Sequence, residues 1–146
     1  MTAPPPTPPP FSPSPPPASV PDGLNADWYE HCRRGELRFQ RCAACGCWRH
    51  PPRFRCPACG SDQWIWERSS GRGTVFSWTV THQVLRPAWA DAVPYAVLVV
   101  ELDEGVRVVA GLRGLAPSEL RLGLPVAVAF EALSGSLTVP VFQPTP

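Results

Sequence analysis

The sequence contains no lysine: all 13 basic residues are arginine, and 12 acidic residues leave a formal net charge of +1. That near balance lacks the basic excess of a dedicated nucleic-acid binder. The missing lysine is a compositional trait and carries no mechanism. Apolar runs are also short. Ala96 to Val100 is strand-sized, far below the ~18 residues of a membrane-spanning helix, so no membrane span is expected. The 146 residues leave room for one ordinary domain or two very small ones. Catalytic signatures are scarce too. His31, His50 and His82 belong to no HExxH, and there is no nucleophile elbow and no carboxylate pair at informative spacing. Cys47 with His50 is a thiol and imidazole that many chains hold by chance. Gly71-Arg72-Gly73 precedes a strand, lacks a third glycine and opens no helix, so it reads as a bend and not a dinucleotide loop. No catalytic residue is assigned.

Proline is what the chain has in excess. Eleven of its 21 prolines fall within the first 21 positions, MTAPPPTPPPFSPSPPPASVP. So few backbone donors cannot sustain a helix or a sheet ladder, and residues 1–21 are expected to be a disordered, polyproline-like tail. Its PxxP spacings are of the kind that aromatic grooves read. No charge precedes Asp22, and the segment has neither the apolar core of a secretory signal nor the Arg-rich pattern of a transit peptide. The expected location is cytoplasmic. In a reducing compartment, clustered cysteines serve as metal ligands more readily than as disulfides.

Asn25 can cap a helix over Ala26–Arg34, with Asp27 and Glu30 in the first turn and Gly35 as the stop. Trp28 and Cys32 share a face beside Tyr29. So short a helix must lay that face on its own domain or on a partner chain, with Cys32 as a small packing residue. After Gly71 the pattern turns to strands. Thr74–His82 alternates Phe76, Trp78 and Val80 against Ser77, Thr79 and Thr81. Tyr95–Asp103 is apolar on both faces, and Asp103, Glu104 and Gly105 form a hairpin turn into Val106–Leu112. Ala116 to Glu119 makes one helical turn. Pro125–Glu131 and Leu137–Phe142 follow, around Ser134, Gly135 and Ser136. Three strands, a helical turn and two strands match a five-stranded OB barrel, whereas a sandwich needs about seven strands. Pro140 suits a barrel edge.

Cys42, Cys45, Cys56 and Cys59 form CAAC, a ten-residue gap and CPAC, each pair followed by glycine. Two such knuckles aim four thiolates at one ion, with Pro51 and Pro52 helping a small hairpin to turn between them. Zinc is the reading; rubredoxin-like iron would use the same ligands. Four thiolates leave no open position, so the metal is structural, one per chain, and its binding replaces a core that thirty residues cannot build. Cys47 is an extra thiol with Cys45 as its rival for the first knuckle. The expected division is a tail at 1–21, a helix at 22–36, a zinc ribbon at 37–68 and an OB-fold at 69–143, a mainly β chain.

Residues 33–55 hold Arg33, Arg34, Arg38, Arg41, Arg49, Arg53 and Arg55 against Glu36 alone. These arginines are open to a coenzyme A phosphate, a nucleic-acid backbone, an acidic partner or internal pairing. Single-stranded nucleic acid is one functional reading of a zinc ribbon with an OB barrel. Against it, the second barrel strand runs out at Glu101, Asp103 and Glu104, and the third offers only Arg107. The rival reading is a protein-interaction module, with exposed apolar residues at Trp28, Tyr29, Leu85, Pro87, Ala88 and Trp89.

The runs LRFQRCAACGCWRHPPRFRCPACGS, SGRGTVFSWTVTH, PYAVLVVELDEGVRVVAGL and LTVPVFQP resemble the zinc-ribbon and OB-fold family called domain of unknown function thirty-five, over about residues 25–143. The resemblance implies a subunit that accompanies an acyl-CoA enzyme. Partners in that family are thiolase-like proteins, among them lipid-transfer-type aldolases that shorten steroid side chains, and hotdog-fold hydratases. It gives Cys42, Cys45, Cys56 and Cys59 the metal role and transfers no catalytic residue, since the thiolase-like partner holds the catalysis. Cys47 departs from the family pattern. The implied function is a non-catalytic zinc subunit in a hetero-oligomer with a thiolase-superfamily enzyme, most directly a retro-aldolase acting on a steroid-CoA, with acyl-CoA contact by this chain left open.

Overall fold

A computed structural model describes residues 21–133 and 135–146, so the expected tail up to residue 20 and Ser134 of the last turn lie outside the described residues. In chain order the elements are helix α1 (Gly23–Arg33), strands β1 (Arg38–Cys42), β2 (Trp48–Arg49), β3 (Trp64–Arg68) and β4 (Arg72–Thr81), a 3-10 turn at Pro87–Trp89, β5 (Tyr95–Leu102), β6 (Arg107–Leu112), a 3-10 turn at Pro117–Glu119, β7 (Pro125–Ala132) and β8 (Thr138–Pro144).

Helix α1 begins earlier than expected. Asp22 is its N-cap, without a side-chain cap bond, so Asn25 lies inside the helix and Asp27 and Glu30 fall beyond the first turn. The stop is where glycine placed it. Gly35 takes φ 74°, its N–H bonds Cys32 O at 2.9 Å, and the Glu36 N–H bonds His31 O at 3.0 Å. Those two bonds close the last turn, and the left-handed position suits glycine. The helix lays its apolar face on its own chain: Trp28 and Cys32 are buried in the common core, and α1 lies against β1, β7 and β8. The reading of Trp28 as partner-facing surface is therefore corrected, because the chain's own strands already cover it.

Strands β2-β1-β3 form a small antiparallel sheet. The hairpin is not between the two cysteine pairs but around the first of them, with Gln40 opposite Arg49 across β1 and β2. His50-Pro51-Pro52 explains the difference, since two prolines cannot supply ladder donors there. On the other side of β1, Arg38 to Cys42 pair with Arg68 to Trp64 of β3.

The remaining strands close into a five-stranded barrel in the order β4-β5-β6-β8-β7, with β6 and β8 parallel and the rest antiparallel. This is the OB arrangement, its helix reduced to the turn at Pro117–Glu119. Two expectations shift. β5 is buried on one face only: Ala96, Leu98, Val100 and Leu102 point inward while Val97 and Val99 are half-covered. A closed barrel has one inside, so a doubly apolar strand still shows one face outward. In β4 a bulge between Val75 and Ser77 moves Phe76 out of the alternation, leaving it 46% exposed while Val75 takes the inner place. Pro140 is not at a free edge either. It pairs with Phe130, and the short contact with β6 begins only at Val141.

Ribbon and barrel share one core, in which Leu37, just ahead of β1, and Phe39 of β1 join Trp28, Leu98, Val100 and Phe142. The junction is tied by Glu104, which accepts from Ser69 Oγ at 3.0 Å and from the Ser70 N–H at 2.6 Å. Gly71 makes the expected bend at φ 72°. At Gly73 a Cβ would run into the Glu101 carbonyl oxygen of β5. Among the described residues, no helix is long and apolar enough to cross a membrane. Gly73→Ala is expected to lower unfolding free energy by about 1–3 kcal/mol, the usual cost of overpacking, in urea titrations where Gly135→Ala, with open space around it, serves as the control.

Candidate metal centre

The four cysteines of the two knuckles converge. Their Sγ atoms all lie within 4.8 Å of one another, and Cys42–Cys59 and Cys45–Cys56 are each 3.6 Å apart. Tetrahedral zinc with Zn–S bonds of about 2.3 Å sets its sulfurs about 3.8 Å apart, so the donor set fits one ion. The two knuckles are built alike. Gly46 and Gly60 both take φ 77°, and their N–H groups bond Cys42 O and Cys56 O, each at 2.9 Å. Amide donors of Cys45 and Ala44 hold the Cys42 thiol down at about 6, and those of Cys59 and Ala58 lower Cys56, whereas burial and the neighbouring thiols push Cys45 up to about 12 and the Cys42 thiol raises Cys59. Donors aimed at sulfur favour the thiolate that a metal requires.

Cys47 stays outside this cluster. Its half-buried Sγ bonds the Trp48 carbonyl at 3.4 Å, while its own carbonyl accepts the Cys42 N–H at 2.9 Å. No hydrogen bond joins it to His50 among the described residues. His50 instead packs between aromatic rings, 4.9 Å from Trp28 and 5.2 Å from Phe39, and burial holds its pKa down at about 4. Cys32 is fully buried in the core, where desolvation pushes its thiol up to about 12, as a packing residue requires.

Most of the arginine cluster is committed within the molecule. Arg33 and Arg34 pair with Glu30, and Arg38 with Glu36. Arg41 reaches Glu67 at 2.9 Å and the Gly46 carbonyl at 3.2 Å, and Arg55 reaches the Gly60 carbonyl at 3.2 Å. Each knuckle thus carries an arginine cap on its glycine carbonyl. The signal was present as a repeat, Arg-Cys-x-x-Cys-Gly at Arg41–Gly46 and Arg55–Gly60, and composition alone missed it. Arg49 is buried: its Nε donates to Gln40 Oε1 at 2.8 Å, its Nη2 to the Arg53 carbonyl at 3.0 Å, and it stacks on Trp64. The same Gln40 oxygen accepts the Arg53 N–H at 2.7 Å, which pins the chain between the knuckles to β1. On the barrel, Arg107 is paired with Glu101 and lies over Phe76, so the one basic residue of the third strand is already engaged.

A four-cysteine ribbon ahead of a closed five-stranded barrel defines a rubredoxin-like zinc-ribbon and OB-fold protein. Family models agree: residues 30–64 match the rubredoxin-like zinc ribbon domain of ChsH2, and residues 66–131 its C-terminal OB-fold domain. The chain is similar, at 41% identity and a TM-score of 0.80, to a chain of the solved "Ltp2-ChsH2(DUF35) aldolase", covering 87% of this chain and 98% of that one. It belongs to the DUF35 family. It is also 43% identical over 120 residues to a "Probable enoyl-CoA hydratase alpha subunit" of Thermomonospora curvata, covering 82% of this chain and 37% of that protein. Over 136 residues it is 38% identical to the "3-oxo-4,17-pregnadiene-20-carboxyl-CoA hydratase alpha subunit" of Mycobacterium tuberculosis, covering 82% of this chain and 42% of that protein. The chain therefore spans about two fifths of these two relatives. The ribbon's family and its thiol geometry agree on structural zinc.

Two outcomes follow. Cys42→Ala is expected to abolish the roughly one zinc per chain measured by elemental analysis, and Cys47→Ala to leave it unchanged. His50, whose folded pKa is depressed, contributes stability that is complete above its ordinary 6.5 and is lost as pH falls toward about 4, because the unfolded chain takes up a proton that the folded one refuses. Denaturant titrations across that window, with zinc in excess, are expected to show a shallower loss for His50→Phe than for the native chain.

Proposed function

We propose that this chain is a non-catalytic, zinc-containing subunit of a hetero-oligomer, supporting a thiolase-superfamily enzyme of lipid-transfer type that acts on an acyl-CoA. The reaction we assign to that complex is retro-aldol cleavage of a steroid-CoA side chain. One observation carries the reading: the likeness along nearly the whole length of a chain from the Ltp2-ChsH2 aldolase. The steroid-CoA named for the Mycobacterium tuberculosis relative supports the substrate class, and the two hydratase names support a hydratase, of hotdog fold in our reading, as a further partner. Within this division of labour Cys42, Cys45, Cys56 and Cys59 hold the zinc, the ribbon occupies 37–68 and the barrel 69–143. The partner supplies the catalytic residues, and this chain contacts coenzyme A at most as part of a shared tunnel. A cytoplasmic complex suits this chemistry.

The surface supports a protein partner. In the loop between β4 and β5, Leu85 is 67% exposed and Val84 46%, beside exposed Pro87 and Ala88. Trp89 is a less open anchor than the sequence suggested, since it is half-buried edge-on against Tyr95 at 5.7 Å. Phe54, 69% exposed, and Ile65, 55% exposed, add apolar area on the ribbon. The competing nucleic-acid reading loses support from the engagement of Arg107.

Affinity purification of the tagged chain from its source organism is expected to bring down a thiolase-like protein. Leu85→Asp is expected to weaken that association about tenfold or more, as loss of a buried apolar anchor does. A chain that stays monomeric with no thiolase-like protein attached contradicts the proposal, as does tight, salt-sensitive binding of single-stranded DNA.

A further inference from the structure

Between Arg72 and Arg86 the chain carries no Arg, Asp or Glu, and most of that stretch is β4. One side of the strand is paired along its length and the other only at its start. β5 pairs with it from Gly73 to Thr81 around the bulge, whereas β7 pairs with Arg72, Gly73 and Thr74 alone. The ladders show where the backbone groups point. The Leu102 N–H bonds Val106 O, so along β5 Leu102, Val100 and Leu98 turn their backbone groups to β6, and the residues between them turn theirs to β4. Opposite Val99, Val97 and Tyr95 stand Ser77, Thr79 and Thr81, so the N–H and C=O of Trp78 and Val80 point away from β5. Nearer the start of the strand the same outward place is filled. There Val75 donates to Leu124 O at 3.0 Å and accepts from the Gly123 N–H at 2.8 Å. Trp78 and Val80 have no such partner among the described residues. We propose that a second copy of this chain pairs with this edge, β4 against β4 and antiparallel about a twofold axis at Thr79, joining two barrels through one continuous sheet.

The edge is self-complementary. In this register Trp78 of one copy stands opposite Val80 of the other, and each such pair exchanges both of its backbone hydrogen bonds. The side chains match as well. Thr79 meets Thr79 on the outer face, Ser77 meets Thr81 beside it, and Trp78 meets Val80 on the inner face. Hydroxyl pairs, and an aromatic ring beside a β-branched residue, are favoured cross-strand neighbours. Thr79 is exposed and Trp78 and Val80 are half-buried, so all three have area left to cover. Every pair lies within the strand, which ends at Thr81. A twofold axis sets a charge at its centre against its own copy, so a charge-free stretch is what such pairing requires. Strand edges that stay single are usually blunted by a charge, a proline or shortness. Beyond the bulge at Phe76, β4 has no charge and no proline.

The test uses the zinc-loaded full chain without any partner enzyme, so its outcome is separate from that of the proposed complex. Sedimentation across protein concentration is expected to show a reversible dimer, and hydrogen exchange to show the Trp78 and Val80 amides protected in it. Thr79→Lys and Thr79→Glu each set like charges opposite one another and are expected to weaken dimerisation about tenfold or more, while far-ultraviolet circular dichroism stays unchanged. Mixed in equal amounts, the two variants are expected to pair with each other, which a misfolded variant does not do. A native chain that sediments as a monomer at high micromolar concentration overturns the proposal. So does a dimer that Thr79→Lys leaves intact, since it then uses another surface, and so does a mixture of the two variants that stays monomeric. Protection of Trp78 and Val80 that appears only when a thiolase-like enzyme is added also overturns it, by giving the edge to that enzyme.

Discussion

Everything at the amino-terminal half depends on four thiolates meeting at one ion. The ribbon's strands run to five, two and five residues, and apart from its cysteines its buried apolar side chains are Leu37, just ahead of β1, and Phe39 on β1. So little burial cannot offset the conformational entropy of some thirty residues. A zinc site contributes on the order of 10 kcal/mol when its ligands come from a chain that would otherwise be unfolded. That energy fixes β1 in place, and β1 then does the packing. Phe39 presents its ring to His50, His50 to Trp28, and Trp28 rides on a helix that lies against the barrel through β8. This stack of rings joins the ribbon to the barrel alongside the direct burial of Leu37 and Phe39 in the common core.

Charge follows the same centre. A zinc ion with four thiolates carries a net −2, and Arg41 and Arg55 sit on the two knuckle carbonyls beside it. Arg49 is buried behind the sheet on Gln40 and Trp64. An arginine-rich stretch that resembles a phosphate-binding patch in composition is largely an internal brace. What the surface does offer is apolar: Val84 and Leu85 on the barrel loop, Phe54 and Ile65 on the ribbon. These residues suit contact with another protein.

Much of this was legible before any coordinates. Cys42, Cys45, Cys56 and Cys59 were readable because ligand spacing is local, and Gly35 and Gly105 because a left-handed turn is a single-residue property. The five-stranded barrel followed from counting strands around one helical turn. What stayed hidden was set by contacts between distant residues. The Phe76 bulge comes from register against β5. The one-sided burial of Val97 and Val99 depends on barrel closure, and the covering of Trp28 on β1 and β8. The arginine caps are an intermediate case. Their Arg-Cys-x-x-Cys-Gly repeat is visible in the sequence, but its meaning depends on knowing that the Gly46 and Gly60 carbonyls point outward for a donor.

Hydrogen exchange on the zinc-loaded and chelator-stripped chain tests this dependence most directly. Removal of zinc should strip protection from β1, β2, β3 and α1 while the amides of β4 to β8 keep most of theirs. Unchanged protection in β1 and α1 after zinc removal would contradict the central role given to the metal.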